Sequence, residues 1–192
     1  MNAALRAYAI VADPAAAWRK IEVEPADAAY LLTRYVALLA LIPAVCGLIG
    51  ACVIGVVVPG TGIVRLPTID GWFGAVFGFV TSCAIVFVLG VVIHFLAPAF
   101  GGARDFDKAF KLAVYSYTPV WLTGIFLLLP GLRFLLFLGF YGAYILWLGL
   151  PPLAKTPAAK LTSFAIVIVA WACGLTLLAA AAQHALFGGR VV

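Results

Sequence analysis

Five long segments without a charged side chain constrain this chain more than any other feature. They contain 30, 33, 21, 21 and 29 residues, and charged residues at positions 34, 65, 70, 104, 111, 133, 155, 160 and 190 bound them. A helix needs about 20 mostly apolar residues to cross a hydrocarbon core. Each segment reaches that length, so the sequence predicts an all-α, polytopic membrane protein that consists of a five-helix transmembrane bundle.

The predicted bundle takes up almost the whole chain. Only 10% of the 192 residues are charged, whereas about a quarter are charged in soluble proteins. We expect a cytosolic N-terminal amphipathic segment, residues 1–30, and a transmembrane domain, residues 31–192. The predicted spans lie near residues 34–58, 72–97, 112–129, 132–150 and 162–186.

The positions of Lys and Arg predict the orientation in the membrane. Nine lie in the N-terminal segment and the second and fourth loops, and three lie in the first and third loops and the C-terminus. Short loops rich in Lys and Arg stay in the cytosol. The N-terminus is therefore expected in the cytosol and the C-terminus on the exterior side of the membrane. The same placement explains the net charge of +5 without a nucleic-acid partner.

Two short amphipathic helices are expected in the N-terminal segment. Apolar residues follow helical spacing from position 5, and Asp13-Pro14 has the composition of a helix start. Basic residues beside the second apolar face favour contact with lipid head groups. The predicted membrane-surface residues are Leu5, Tyr8, Trp18, Arg19, Lys20 and Ile21.

Small residues recur at every fourth position within the spans. Gly47, Ala51 and Gly55 form such a row in the first span, and similar rows occur in the second and fifth. Small residues let membrane helices approach closely. The rows indicate packing within the bundle, and a homodimer seam is the alternative interpretation.

The sequence contains no recognisable catalytic or metal-binding pattern. All seven acidic residues lie outside the predicted spans, and the four cysteines have no ligand-like spacing. Motifs of metalloproteases, serine hydrolases and nucleotide-binding proteins are absent from the sequence. We therefore predict a protein that is not an enzyme and needs no cofactor or metal.

The most unusual polar cluster lies in the third span and ends at Pro119. A proline cannot donate to the helix ladder, so it should free the carbonyl of Tyr115 and kink the helix. Tyrosines of the fourth span lie at a similar depth and could face this kink, either as packing or as a binding site. The candidate binding residues are Tyr115, Tyr117, Pro119, Tyr141, Tyr144 and His94.

Four segments carry a resemblance to a known family. They are residues 14–21 (PAAAWRKI), 113–119 (AVYSYTP), 139–144 (GFYGAY) and 148–157 (LGLPPLAKTP). Together they resemble the bacterial branch of the Yip family, which is named for membrane proteins that interact with Ypt/Rab GTPases. The resemblance implies a five-helix bundle with a cytosolic N-terminus. Its eukaryotic members imply a role in trafficking, partner binding or membrane shaping.

Two functions remain open from the sequence. The first is a non-enzymatic inner-membrane protein that binds protein partners or organises membrane lipids through its cytosolic face. The alternative is a small transporter or channel for a neutral or lipidic solute, with Tyr117 and Tyr144 lining its cavity.

Overall fold

The computed structural model describes residues 2–25, 27–58, 60 and 62–187. The expected exterior position of the C-terminus concerns residues 188–192, which lie outside this part of the chain. Within the described residues the fold is helical apart from one short β-hairpin.

The described residues form eight helices and two strands. The N-terminal pair consists of α1 (Ala3–Ala12) and α2 (Pro14–Val23), and the remaining helices are α3 (Ala28–Ile54), α4 (Thr68–Phe100), α5 (Phe106–Ser116), α6 (Thr118–Thr123, continued as a 3-10 helix over Gly124–Leu128), α7 (Pro130–Ala154) and α8 (Ala158–Phe187). Strands β1 (Val56–Val58) and β2 (Gly62–Val64) pair antiparallel between α3 and α4.

Side chains that accept from backbone N–H groups begin several of these helices. The carboxylate of Asp13 accepts from the N–H of Ala16 at 3.0 Å, and that of Asp105 accepts from Lys108 at 3.1 Å. An N-cap of this kind satisfies one of the free N–H groups of a first helical turn. The expected helix start at Asp13-Pro14 is therefore confirmed.

Within the described part of the chain, four helices are long and apolar enough to cross a membrane: α3, α4, α7 and α8. They correspond to four of the five predicted spans. The segment predicted as the third span, residues 112–129, is not one continuous helix, since α5 ends at Ser116 and α6 begins at Thr118. Pro119 lacks the N–H that a continuous helix would need there. The structure thus shows four candidate spans and an interrupted helical segment.

The first loop contains regular structure on both sides of its turn. Val57 pairs with Ile63 in the β-hairpin, and α4 begins at Thr68. Runs of β-branched residues flank the glycines here, and such residues favour strands.

Helices α5 and α6 lie at the centre of the bundle. Helix α5 packs against α4 and α7, α6 packs against α3 and α7, and α8 packs against α4 and α7. The N-terminal pair packs against α7 and reaches α6. We call the end that carries this pair and the loops 101–105 and 155–157 the capped end. The end that carries β1, β2 and the α6–α7 turn is the hairpin end.

The buried apolar core lies in the capped half of the bundle. Among the described residues, the last buried apolar side chain of α3 is Ala40, the first of α4 is Ile85 and the last of α8 is Ile168. Beyond these positions the three helices continue toward the hairpin end with no fully buried apolar residue in the described chain. The two halves are therefore packed differently.

Candidate functional site

The predicted tyrosine cluster divides into three separate places. Tyr115 and Tyr117 are buried inside the protein, whereas Tyr141 and Tyr144 are 37% and 50% exposed and contact each other. Tyr117 and Tyr144 therefore do not face each other across one site. On a helix, residues two apart in sequence point to different sides, so Tyr115 and Tyr117 enter different surroundings.

Tyr115 belongs to an aromatic group under the N-terminal pair. Its ring centroid lies 6.0 Å from that of Trp18 and 5.0 Å from that of Tyr35, both edge to face. The Trp18 indole N–H donates to the carbonyl of Ile145 at 3.0 Å. A Cβ at Gly149 would lie 2.6 Å from the Trp18 ring, so glycine is required where the indole meets α7. The group fastens α2 to the bundle.

Charged residues close the same interface. The Arg6 guanidinium pairs with the Glu24 carboxylate, and the Lys111 ammonium donates to the carbonyls of Ile21 and Glu24 at 3.1 and 2.5 Å. Burial lowers the pKa of Lys111, while the nearby carboxylates of Glu24 and Asp107 oppose that shift. These contacts give both buried cations a partner. They also provide a hydrogen-bond donor for carbonyl groups at the end of α2.

Tyr117 marks the interruption between α5 and α6. Its hydroxyl lies 3.3 Å from the Thr176 hydroxyl on α8, and the Thr118 hydroxyl lies 2.9 Å from that of Tyr35. Pro119 is buried in the first turn of α6, as the predicted kink requires. A Cβ at Gly142 would overlap the carbonyl of Ser116, so α7 comes closest to the opened backbone at this glycine.

The remaining candidate residues lie apart from Tyr117. The Tyr141 hydroxyl donates to the carbonyl of Val11 at 3.1 Å, which connects the end of α1 to α7. His94 accepts from Arg104 at 3.3 Å and contacts the ring of Phe106 near the capped end. His94 therefore does not join the tyrosines.

Two cavities meet at Tyr117. A cavity of about 440 Å³ opens among α3, α4, α6, α8 and the start of α7 in the hairpin half. A second cavity of about 470 Å³ lies among α4, α5, α6, α7 and α8 in the capped half. Tyr117, Val120 and Thr176 line both. The hairpin-end cavity also has polar lining residues, including Ser82, Arg133 and Gln183. Both volumes lie in the range of about 300–1,000 Å³ typical of ligand sites.

The predicted membrane-surface residues also divide. Leu5 and Tyr8 are 60% and 73% exposed, and Arg19 and Lys20 are exposed on α2. Trp18 and Ile21 are buried at 1% and 0% exposure. The expected lipid contact of Trp18 and Ile21 was wrong, because α2 buries this apolar face against α5 and α7 instead. The contact expected of the other four remains a prediction.

No cluster of metal-ligating side chains occurs among the residues that the structure describes. Cys46, Cys52, Cys83 and Cys173 are free thiols spread over α3, α4 and α8.

The family described as the Yip1 domain matches residues 8–181, which include the N-terminal pair from Tyr8 onward and nearly all of α8. This chain belongs to the Yip1 domain family.

Two curated relatives of this chain are proteins named inner membrane protein YohC, from Escherichia coli K12 and from E. coli O6:H1 strain CFT073. Each is 32% identical over 123 residues, which is 62% of this chain. The chain spans 63% of the length of the curated relatives it matches. No solved structure matches it.

Sequence reasoning missed three cationic positions in this Yip1 domain. Arg6 and Lys111 are buried at the capped end, and Arg133 lines the hairpin-end cavity. Arg133 is the single charged residue between Lys111 and Lys155. An isolated ionisable residue in so long an apolar stretch is a functional signal that could have identified it.

Proposed function

We propose that this Yip1-family protein is a non-enzymatic protein of the bacterial inner membrane that binds partners or organises lipid through its capped end. The observation that supports this role is the N-terminal pair, which is fixed to the bundle by Trp18 and Lys111. Its outer surface keeps apolar and basic side chains exposed. The inner-membrane location follows the name of the YohC relatives.

The outer surface of the N-terminal pair has the composition of a membrane-contact surface. Leu5 and Tyr8 are three residues apart on α1 and extend outward, while the other face of α1 is buried through Ile10. Arg19 and Lys20 are exposed on α2. Apolar rings and chains beside basic groups bind the boundary between acyl chains and anionic head groups. This is the surface that we expect to contact lipid or a partner.

A fifth crossing completes the proposed topology. The segment from α5 to the end of α6 starts where Phe106 contacts His94, near the end of α4. It ends where Leu127 lies beside Gly50, near the opposite end of α3. It therefore runs between the same two levels as the four long helices. With the distribution of basic residues, five crossings put the N-terminus in the cytosol and the C-terminus outside.

Reporter fusions test the topology. A periplasmic reporter fused after Val192 should be active, and a cytosolic reporter at the same position should be inactive. The opposite pair of results would contradict five crossings with this orientation.

Photo-crosslinking tests the surface role of the capped end. A photoreactive side chain placed at Tyr8 in native membranes should form adducts with lipid or with a partner protein. The same probe at Ala7, which is buried on the other face of α1, is the matched control and should form none. Equal labelling of both positions, or of neither, would contradict a functional outer surface.

Transport of a neutral or lipidic solute is the second candidate function. It is favoured by the two cavities that meet at Tyr117, because together they extend from the hairpin half into the capped half. Saturable solute flux in proteoliposomes that falls in a Tyr117→Trp variant would support this function over the first. The control is Tyr144→Trp, which lies on the outer side of α7 and should leave the solute flux unchanged.

A further inference from the structure

Arg133 is a cation between the helices of the bundle that has no partner among the described residues. It lies in the first turn of α7, is half-buried and lines the hairpin-end cavity. Its Nε is shielded from solvent and has no hydrogen-bond partner among the described residues. Both salt bridges of the described chain involve other residues. Arg133 thus differs from Arg6, whose guanidinium is paired.

A cation in this position favours an anionic group from outside the chain. Ionisable groups within a membrane protein are costly and normally pair with another charge or with backbone carbonyls. The guanidinium has five N–H groups in a fixed fork, and the fork matches the oxygens of a phosphate. Arg133 lies three residues after the start of α7, which is about 6 Å for a 3-10 helix. In the proposed topology α7 enters the membrane at the hairpin end, which puts Arg133 close to the level of the lipid head groups.

The rest of the cavity is suited to an amphiphile. Uncharged polar groups, Gln183 and the Thr176 hydroxyl, extend from α8, while Leu48 and Leu127 provide apolar wall. Asp70 also lines the cavity and is already engaged. The carboxylate keeps the total charge of the cavity low, which favours a singly charged or zwitterionic group over a free dianion.

We propose that the hairpin-end cavity binds the phosphate group of a membrane phospholipid, with Arg133 as the residue that pairs with the phosphate. The glycerol and the first part of the acyl chains lie against the apolar wall. The volume of about 440 Å³ accommodates the head-group region, and the chains leave through the open side of the cavity. The site does not depend on the role proposed for the capped end.

Native mass spectrometry of the full-length protein tests the site. The wild-type chain, released from nanodiscs of dioleoyl phosphatidylglycerol, should retain bound phospholipid, and dioleoylglycerol, which lacks the phosphate, should not be retained. Arg133→Gln should weaken retention at least tenfold. Phospholipid retention by Arg133→Lys should be intermediate between that of the wild type and that of Arg133→Gln. The lysine ammonium keeps the positive charge but lacks the planar fork of N–H donors of the guanidinium. Arg65→Gln is the matched control, since Arg65 is exposed at the same end.

Three results would overturn the proposal. They are equal retention by Arg133→Gln and wild type, equal loss in Arg65→Gln, and equal binding of dioleoylglycerol. If Arg133→Gln does not fold, Arg133→Lys provides the test. Phospholipid retention by Arg133→Lys equal to that of the wild type would contradict pairing through the guanidinium fork.

Inorganic phosphate distinguishes the two sources of the anion. At millimolar concentration it should not displace the phospholipid, because it lacks the apolar contacts. Displacement would overturn the lipid assignment and identify a soluble phosphate as the ligand. A Tyr8→Glu variant should retain phospholipid as the wild type does, so failure of the capped-end role leaves this result unchanged.

Discussion

The cations that lie between helices have different surroundings at the two ends of the bundle. At the capped end, Arg6 pairs with Glu24, and Lys111 donates to two carbonyls. At the hairpin end, Arg133 has no partner among the described residues, although it too lies between helices. The capped-end cations are parts of the fold, whereas Arg133 is available for binding.

Packing follows the same division. Buried apolar residues fill the capped half, where Trp18, Phe110 and Phe164 are almost fully enclosed. The hairpin half contains a partly polar cavity between helices whose other side chains point away from the bundle. Lipid gives little drive for apolar helices to associate, so a half without dense packing can remain open. Substitutions should therefore have large effects on stability at the capped end and small ones at the hairpin end.

The largest expected effect is that of Trp18→Ala. The indole is 1% exposed and contacts protein on all sides, so its loss should cost about 3–5 kcal/mol of unfolding free energy. Thermal and denaturant unfolding in a mild detergent measure this. Trp72→Ala is the control, because Trp72 is 59% exposed on α4, and it should change stability by less than about 0.5 kcal/mol. Similar losses in both variants would contradict a structural role for the N-terminal pair.

Lys111→Met should have the next largest effect. The variant leaves the carbonyls of Ile21 and Glu24 without their buried donor, which should cost about 1–3 kcal/mol. The same unfolding measurement applies. Lys108→Met is the matched control on the same helix, where the side chain is 36% exposed and lies 3.5 Å from the Asp105 carboxylate. A stability loss that is no greater than that of the control would break the contrast between the two ends.

Tyr117→Phe should have a smaller effect. It removes the hydrogen bond to Thr176 but keeps the buried ring, so the loss should be about 0.5–1 kcal/mol. Tyr144→Phe should leave stability unchanged, because the Tyr144 hydroxyl has no hydrogen bond to a described residue and the side chain is half exposed. Equal shifts in melting temperature for the two variants would contradict the different surroundings of the Tyr117 and Tyr144 hydroxyls.

Arg133→Gln should have the smallest effect on stability. Because no described residue pairs with Arg133, the change should stay within about 0.5 kcal/mol in lipid-free detergent. Arg65→Gln should behave in the same way. A loss of 2 kcal/mol or more in Arg133→Gln alone would mean that this cation stabilises the fold as Lys111 does.

Much of the architecture could be predicted from the sequence. Uncharged segments located four spans and the segment that contains α6, because the membrane imposes the length of a crossing helix. Asp13 marked a helix start correctly, since capping depends on local chemistry. Pro119 likewise predicted the interruption between α5 and α6.

The site residues were harder to predict, because their positions depend on contacts distant in sequence. Trp18 has the spacing of a lipid-facing residue, and its burial follows from a contact with Ile145, 127 residues away. Tyr117 and Tyr144 have similar depths, but depth does not determine which side of a helix faces a neighbour. Arg133 was assigned to a loop from its charge, whereas its helix begins earlier, at Pro130.

Hydrogen exchange in detergent tests the central contrast most directly. We predict that in the wild type the amides of α2 exchange as slowly as those of α5, since the two helices share one buried interface. Trp18→Ala should then speed exchange in α2, α5 and α7 while the hairpin half of α8 stays unchanged. Fast exchange of α2 in the wild type, or an effect of Trp18→Ala confined to α2, would contradict a capped end built as part of the core.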